Sequence, residues 1–300
     1  MTESFESMLS EGYRTWRKNM ELGIPFILNA IAMITAIVIG AVLFGVLFFI
    51  LILSNMSPIV LVLLALFLIA FTLVLMLISA FFSAGAIGMA LKATESGKTS
   101  LGDMLEYGKK KAADIFLANL LVAFSMTLFG IILIASMIAP LLLKSPNIAL
   151  SVAAFDLVLL VLCSVLLYFV LSPVSYAIVL SDLSAVDGVS AGYRFFMENK
   201  IATILLLFTV SGVYYGYSMI TDVISSLFGV IPLLGTLINI GVSLLAALFS
   251  MLVIQPIVTV WWTRLYLGRN GIKKMQEPIA PNLEAVQPSS GTQSSGPYYV

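Results

Sequence analysis

The amino-acid sequence predicts an all-α protein, a polytopic bundle of six transmembrane helices. Hydrophobic residues make up 61% of the chain and charged residues only 10%, whereas a typical soluble domain has about 25% charged residues. Six apolar runs are each long enough to cross a bilayer, which takes roughly 20 residues of helix. Lys and Arg residues are concentrated in four short stretches between or beside these runs. Together these observations place lipid, rather than water, around most of the chain.

The six apolar runs define the predicted spans, and two kinds of connection alternate between them. Asn55–Pro58, Lys144–Asn147 and Gly229–Gly235 are short and nearly uncharged. The other connections and the two ends of the chain carry every Lys and Arg except Lys144. Basic residues of short loops stay on the cytoplasmic side, so we predict a multi-pass protein of the cell membrane with both termini in the cytoplasm. The predicted spans cover residues 24–53, 59–82, 115–139, 149–175, 201–228 and 236–262.

Each basic segment that precedes an odd-numbered span is predicted to contain a short amphipathic helix. Ser100-Leu-Gly-Asp103 and Ser184-Ala-Val-Asp187 match the S-x-x-D capping box, in which the serine and the acid bind free N–H groups at a helix start. Apolar residues then recur at helical spacing, opposite a charged face. Such a helix beside a span is expected to lie in the interface plane of the membrane.

The same segments predict an internal threefold repeat. Gly12-Tyr13-Arg14 matches Gly192-Tyr193-Arg194, and Gly108 and Gly192 lie 84 residues apart (192 − 108 = 84). Pro173 and Pro256, each of which removes an intrahelical hydrogen bond and should kink its span, lie 83 residues apart (256 − 173 = 83). We predict three parallel units, residues 1–98, 99–183 and 184–275, each an interfacial amphipathic helix followed by a helical hairpin. The alternative is that any chain with alternating spans has such a rhythm.

The two ends of the chain differ from the rest in composition. Residues 276–300 are rich in Pro, Ser, Gln and Gly, a composition that buries too little apolar surface to offset the entropy of ordering. We therefore predict a disordered cytoplasmic tail after a transmembrane domain of residues 1–275. The acidic start of the chain and the length of the first apolar run predict a mature N-terminus without a signal peptide.

The composition also excludes several kinds of chemistry. The chain has no His and a single Cys, Cys163, which argues against a zinc site, a histidine relay and an internal disulfide. A net charge of +0 gives no reason to expect a nucleic-acid partner. Sequence motifs of P-loop, nucleophile-elbow and zinc-protease sites do not occur. We predict a protein that is not an enzyme and that uses no cofactor or metal.

Two carboxylates lie inside apolar runs, Asp156 in span four and Asp222 in span five. A charge at membrane depth costs about 2.5–3.5 kcal/mol on insertion scales, which makes the pair a candidate intramembrane site for a cation or a proton. The alternative, which we favour, is that both carboxylates lie near the outer interface, where the cost falls steeply.

Five basic residues of the amphipathic segments are candidates for contact with lipid headgroups. A basic side chain near an anionic leaflet contributes about 1 kcal/mol of attraction. The five residues are Lys109, Lys110, Lys111, Arg14 and Arg194.

Two functions are compatible with these features. The first is a non-enzymatic membrane protein that organises lipid or a protein partner, including a second copy of itself, through its amphipathic helices and tail. The second is a transporter or channel for a small solute or ion that uses Asp156 and Asp222. The basic segments favour the first function, and the intramembrane carboxylates favour the second.

The chain resembles an uncharacterised group of six-helix prokaryotic membrane proteins, many of them archaeal. It is also similar in layout to the membrane domain attached to some glycerophosphodiester phosphodiesterases. The matching elements are the two Gly-Tyr-Arg helices, the Gly97–Asp103 segment and the exit from span six between Pro256 and Tyr266. The resemblance covers about residues 1–275 and implies the six-helix fold. It implies no hydrolase activity, because the soluble phosphodiesterase domain is not part of the match.

Overall fold

The computed structural model describes residues 4–55, 57–136, 138, 145–228 and 234–271. Over these residues the protein is all-α without strands, and six helices are long and apolar enough to cross a membrane, as the sequence predicted. The predicted tail, residues 276–300, lies outside the described residues, as do Lys144, Lys273 and Lys274. Spans one to six are Met20–Leu53, Pro58–Ser96, Leu101–Ser136, Leu150–Leu180, Lys200–Phe228 and Gly235–Arg269.

Ten α-helices build these spans and the segments between them in the described residues. The helices are α1 (Phe5–Lys18), α2 (Ile24–Leu53), α3 (Pro58–Ser96), α4 (Leu101–Ser136), α5 (Pro146–Leu171), α6 (Val174–Leu180), α7 (Ala185–Glu198), α8 (Lys200–Phe228), α9 (Leu234–Phe249) and α10 (Gln255–Tyr266). A 3₁₀ turn, Met20–Gly23, joins α1 to α2, and π-helical turns occupy Ser250–Ile254 and Leu267–Gly271.

The two prolines that were predicted to kink their spans mark interruptions of the α-helix. Span four is broken at Ser172 and Pro173, between α5 and α6. Span six passes through the π-helical turn Ser250–Ile254, which ends two residues before Pro256. A proline has no N–H for the carbonyl four residues earlier, and π-helical turns commonly absorb such a defect.

The second amphipathic segment differs from the sequence prediction, because it is not a separate helix. α4 runs without a break from Leu101 through span three. α1 and α7 end instead at Asn19 and Asn199, each of which caps its helix with its own N–H. These asparagines stand seven residues after Gly12 and Gly192, whereas the corresponding position after Gly108 is Ile115. An isoleucine continues a helix where an asparagine favours its end.

Most buried side chains lie at one end of the bundle, in a layer that we call the collar. The four basic stretches of the chain meet at this end. The Asn19 side-chain amide donates to the Gly97 carbonyl (3.1 Å), and the Lys111 ammonium donates to the Leu183 carbonyl (3.0 Å). The collar comprises α1, α6, α7 and α10, together with residues 80–96 of α3, 101–118 of α4 and 202–210 of α8.

Away from the collar, the spans expose apolar side chains. No residue is buried in the most apolar stretch of span two, and even in span five only 22% of the corresponding stretch is buried. Gly40 of span one is an exception, because its backbone lies against the Phe71 ring of span two. Lipid solvates such a surface and water does not, so the fold is that of a multi-pass membrane protein.

The end of α3 is the most closely packed part of the collar. Between Ala84 and Ala93 every side chain except Lys92 is buried, and six of these ten residues are Gly or Ala. A Cβ atom at Gly85 would lie 2.6 Å from Met104 Cγ and 2.9 Å from the Met104 carbonyl oxygen. Gly88 faces Tyr107 even more closely. Small residues therefore set the distance between α3 and α4.

We predict that Gly88→Ala destabilises the protein, because the added methyl group overlaps the Tyr107 side chain. Overpacking of this kind costs about 1–3 kcal/mol. Gly130→Ala in α4 is the matched control, since a Cβ atom there meets no atom of a described residue within 4 Å. The control should be neutral or stabilising by up to about 1 kcal/mol. Thermal unfolding in detergent measures both variants, and equal melting temperatures would contradict the packing described here.

Candidate functional site

The three predicted amphipathic segments begin with the same kind of side-chain cap. In the third segment the Asp187 N–H donates to Ser184 Oγ (3.3 Å), and Ser184 Oγ donates to the Asp187 carboxylate (2.7 Å). The second segment forms its predicted box in the same way. In the first, the Ser7 N–H donates to Ser4 Oγ (3.2 Å), a cap that the S-x-x-D pattern does not reveal. Each capping serine stands eight residues before a glycine: Ser4 before Gly12, Ser100 before Gly108, and Ser184 before Gly192.

These glycines lie at contacts between the amphipathic segments and the ends of spans. A Cβ atom at Gly192 of α7 would lie 2.8 Å from the Cα atom of Val174 in α6. One turn earlier, Gly188 of α7 faces Ile178 of α6. Because the contact moves back along α7 as it moves forward along α6, the two helices are antiparallel. The absence of a side chain at Gly192 permits this close approach of backbones.

The three contacts follow one rule. Each amphipathic segment packs on the second span of the hairpin before it, and the first segment packs on the last hairpin, so that the contacts close a ring. The facing pairs are Gly12 with Trp261, Gly108 with Phe81, and Gly192 with Val174. The buried sides of α1 and α7, including Met8 and Phe195, therefore pack on protein. The sequence analysis had predicted that these helices lie in the interface plane of the membrane, and it did not identify these contacts with the spans.

Two tryptophan side chains attach α1 to span six. The Trp16 indole N–H donates to the Leu252 carbonyl oxygen (2.9 Å), and the Trp261 indole N–H donates to the Leu9 carbonyl oxygen (3.0 Å). Leu252 stands four residues before Pro256, which has no N–H to donate to that carbonyl. The indole of Trp16 thus supplies a donor that the proline removes, and the proline creates the docking point for α1.

We predict that the cost of Trp16→Phe depends on Pro256. In the natural background the substitution removes a hydrogen bond worth about 0.5–1.5 kcal/mol. In a Pro256→Ala background, the alanine N–H supplies the donor and the cost of Trp16→Phe should fall. Trp261→Phe is the matched control, because its acceptor lies in α1 and its cost should be equal in both backgrounds. A double-mutant cycle of unfolding free energies measures the coupling, and additivity of Trp16→Phe with Pro256→Ala would refute this docking mechanism.

Lys111 is buried and holds the second segment to the end of span four. Its ammonium group lies 2.8 Å from Asp182 Oδ1 and 3.3 Å from Asp114 Oδ2, and it donates to the Leu183 carbonyl. Three acceptors thus satisfy its three N–H groups. Only 6% of Lys111 is exposed, so the prediction that this residue contacts lipid headgroups is wrong. The sequence placed it in a run of three lysines and gave no sign that one of them faces inward.

Asp182 joins two lysines at the turn that follows α6. Lys110 lies 3.0 Å from its second carboxylate oxygen, Oδ2. Hydrogen bonds from Lys111 and then Lys110 hold the pKa of Asp182 below its usual range. The backbone of Asp182 is in the left-handed region, with φ of +53°, which Asp tolerates better than most residues. The turn therefore presents a carboxylate to both cations. The sequence analysis did not identify Asp182 as a functional or structural residue.

We predict that acid weakens the collar through Asp182. Because the pKa of this carboxyl is lowered in the folded protein, its stabilising effect is complete above the ordinary Asp pKa of about 3.9 and is lost as the pH falls through the lower, folded value. The carboxylate is 61% exposed, so solvent screening limits the effect to about 1 kcal/mol or less. Melting temperatures of the natural protein and of Asp182→Asn, compared between pH 6 and pH 3, test this. The variant should lose less stability on acidification, and parallel curves would contradict the prediction.

The other predicted headgroup residues lie on the exposed outside of the collar. Lys109 and Arg194 are exposed and make no ion pair with a described residue. Arg14 is exposed and pairs within its own helix with Glu11 (3.4 Å). Lys110 is half exposed, and its ammonium group forms an ion pair with Asp182. Lys109, Arg14 and Arg194 thus remain as the accessible members of the predicted set.

The structure does not bring the two intramembrane carboxylates together. Asp156 of α5 accepts a hydrogen bond from Ser136 Oγ of α4 (2.5 Å), which joins spans three and four. Asp222 of α8 is exposed and accepts from Ser218, one turn earlier on the same helix (3.4 Å). Among the hydrogen bonds of the described residues, none connects Asp156 or its partner Ser136 to Asp222 or its partner Ser218. Each carboxylate has a serine as its partner instead.

The fold and this end layer define an α-helical, multi-pass membrane protein whose spans are joined mainly at one end. Comparison with known proteins adds no relative: no protein-family model, curated protein or solved structure matches the chain. The resemblance to six-helix prokaryotic membrane proteins is therefore a prediction that rests on the quoted motifs alone.

Proposed function

We propose that the chain is a non-enzymatic membrane protein that organises lipid at the cytoplasmic face of the cell membrane. In this proposal the collar stays in the cytoplasm with both termini. Lys109, Arg14 and Arg194 then attract anionic headgroups, while the exposed spans contact hydrocarbon chains. Membrane lipids are the partners, and neither a nucleic acid nor a cofactor has a role.

The observation that carries this proposal is the division of the molecule into two surfaces. Lys109 and Arg194 project from the collar without carboxylate partners among the described residues, whereas the spans expose apolar side chains over most of their length. We call Lys109, Arg14 and Arg194 together the basic rim. Such a rim beside an apolar surface is complementary to an anionic leaflet. The rim is also held in place, because the helices that bear it are packed into the collar.

The alternative, transport through Asp156 and Asp222, has less support. A shared cation or proton site requires carboxylates that converge on one cavity. Each of these two is bonded to a serine, and they belong to different hairpins. The Ser136 to Asp156 bond fits a structural role, since it joins spans three and four far from the collar.

We further propose that the three hairpins are tandem repeats. The equal spacing of capping serine and glycine and the ring of equivalent contacts support this proposal. In this proposal the collar is a pseudo-threefold arrangement in which the amphipathic segment of each unit packs on a neighbouring unit. The continuous α4 is then a unit whose helix end has been lost by substitution of the asparagine.

The charged rim is tested by combining Arg14→Gln, Lys109→Gln and Arg194→Gln in the full chain. Because attraction amounts to about 1 kcal/mol per basic residue, the preference of the protein for anionic over zwitterionic phospholipid should fall several-fold. Energy transfer from tryptophan to a labelled anionic lipid in mixed vesicles measures this preference.

Asp156→Asn combined with Asp222→Asn is the matched control, since it removes charge from the spans and leaves the rim intact. This variant should keep the anionic preference of the natural protein. A pH-sensitive dye inside the same vesicles reports proton flux. Absence of any anionic preference in the natural protein would refute lipid organisation, and proton flux that the Asp variant abolishes would support the transport alternative.

A further inference from the structure

An apolar groove lies between spans five and six, next to the collar. Its volume is about 450 Å³, within the roughly 300–1,000 Å³ of ligand pockets. On span five it reaches from Gly212 to Ile220, which at 1.5 Å per residue is about 12 Å of helix. On span six it reaches from Phe249 to Trp261. The groove is thus elongated along the spans.

Two glycines create the space, and aromatic side chains bound it. Gly212 and Gly216 stand one turn apart on the same face of α8, and in the described part of the chain a Cβ atom at either would meet nothing within 4 Å. Tyr217 and Phe249 stack with their ring centroids 5.8 Å apart, and the Tyr217 hydroxyl donates to the Ala246 carbonyl oxygen. These contacts join the two spans at the groove itself, so the glycines leave an open volume between helices that are already fixed.

Most polar side-chain groups that line the groove already have a hydrogen-bond partner within the protein. The Tyr217 hydroxyl is bonded to Ala246, and the Trp261 indole N–H is bonded to Leu9. The hydroxyl of Tyr13, which enters from α1, has no hydrogen bond with a described residue. A ligand of the groove is therefore a hydrocarbon over most of its length and meets an available polar group at the collar end.

A cation lies one helical turn along α1 from Tyr13. Arg17 follows Tyr13 by four residues on α1, so the two side chains lie on the same face of the helix. Arg17 is exposed and makes no ion pair with a described residue. A guanidinium group and a phenol are both good donors to phosphate oxygens.

We infer that the groove binds one membrane phospholipid, with a hydrocarbon chain between spans five and six and the phosphate at Arg17 and Tyr13. A phospholipid supplies both required parts in the right order, an apolar chain along the spans and an anion at the collar. The inference deepens the proposed function, on which it rests for the presence of lipid partners, by naming a single bound lipid and its site.

The test is the retention of phospholipid by the full chain in detergent, measured by native mass spectrometry and lipid extraction. The natural protein should keep a stoichiometric phospholipid after extensive washing. Gly216→Phe fills the groove and should lower retention by at least about tenfold. Gly45→Phe is the matched control, because Gly45 is also a glycine of a span with no described atom within 4 Å of its Cβ position. This variant should retain the lipid.

Two further variants separate the chain from the headgroup. Gly216→Leu adds a smaller side chain to the groove and should also lower lipid retention. This variant replaces Gly216→Phe in the test if the phenylalanine variant does not fold. Arg17→Gln leaves the groove open and should lower retention by a smaller factor, about threefold. Lys18→Gln, its neighbour off the Tyr13 face, should have no effect.

The inference is overturned if the natural protein carries no phospholipid, if both Gly216 variants retain as much lipid as Gly45→Phe, or if the bound lipid contains no phosphate. These results are independent of the vesicle experiment on Arg14, Lys109 and Arg194. A natural protein that shows no anionic preference but keeps its bound phospholipid refutes only the proposed function, and a natural protein that shows the preference but carries no phospholipid refutes only this site.

Discussion

The close packing of one small-residue segment, Ala84–Ala93 at the end of α3, is the constraint on which the rest of the structure depends. This segment is buried on all sides except at Lys92, and α4, α6 and α10 pack around it. Only glycine and alanine allow three helices to approach a fourth so closely. Because the spans expose most of their apolar surface elsewhere, this layer is what keeps three hairpins in one molecule.

The position of the core at one end follows from the solvent. Within a bilayer, lipid chains solvate apolar helices as well as other helices do, so there is little hydrophobic drive for spans to associate. At the basic end water is the competing solvent, and burial of side chains such as Phe195 and Tyr266, stacked 4.9 Å apart, becomes favourable. Directed polar contacts then fix the arrangement. The Trp16 indole N–H donates to the Leu252 carbonyl oxygen, and the Lys111 ammonium group is surrounded by three acceptors.

A molecule built in this way leaves surfaces for lipid that a compact bundle would fill. Where spans five and six separate, Gly212 and Gly216 leave a groove, and α1 brings Tyr13 to its collar end, with Arg17 one turn away on the same helix. The same helix therefore serves the fold, through its two indole hydrogen bonds, and the proposed lipid site. Asp156 and Asp222 fit this account as local features, since each is satisfied by a nearby serine.

The sequence by itself determined the all-α membrane class, the six spans, the capping boxes and the prolines that interrupt spans four and six. These features are local, because length, hydropathy and the residues at a helix start act over one or two turns. Tertiary structure alone decided that Lys111 is buried while Lys109 is exposed. It also decided that the amphipathic helices pack on neighbouring hairpins and that the Leu252 carbonyl oxygen accepts a hydrogen bond from Trp16. Such outcomes join residues far apart in the chain, and no local pattern records which helix faces will meet.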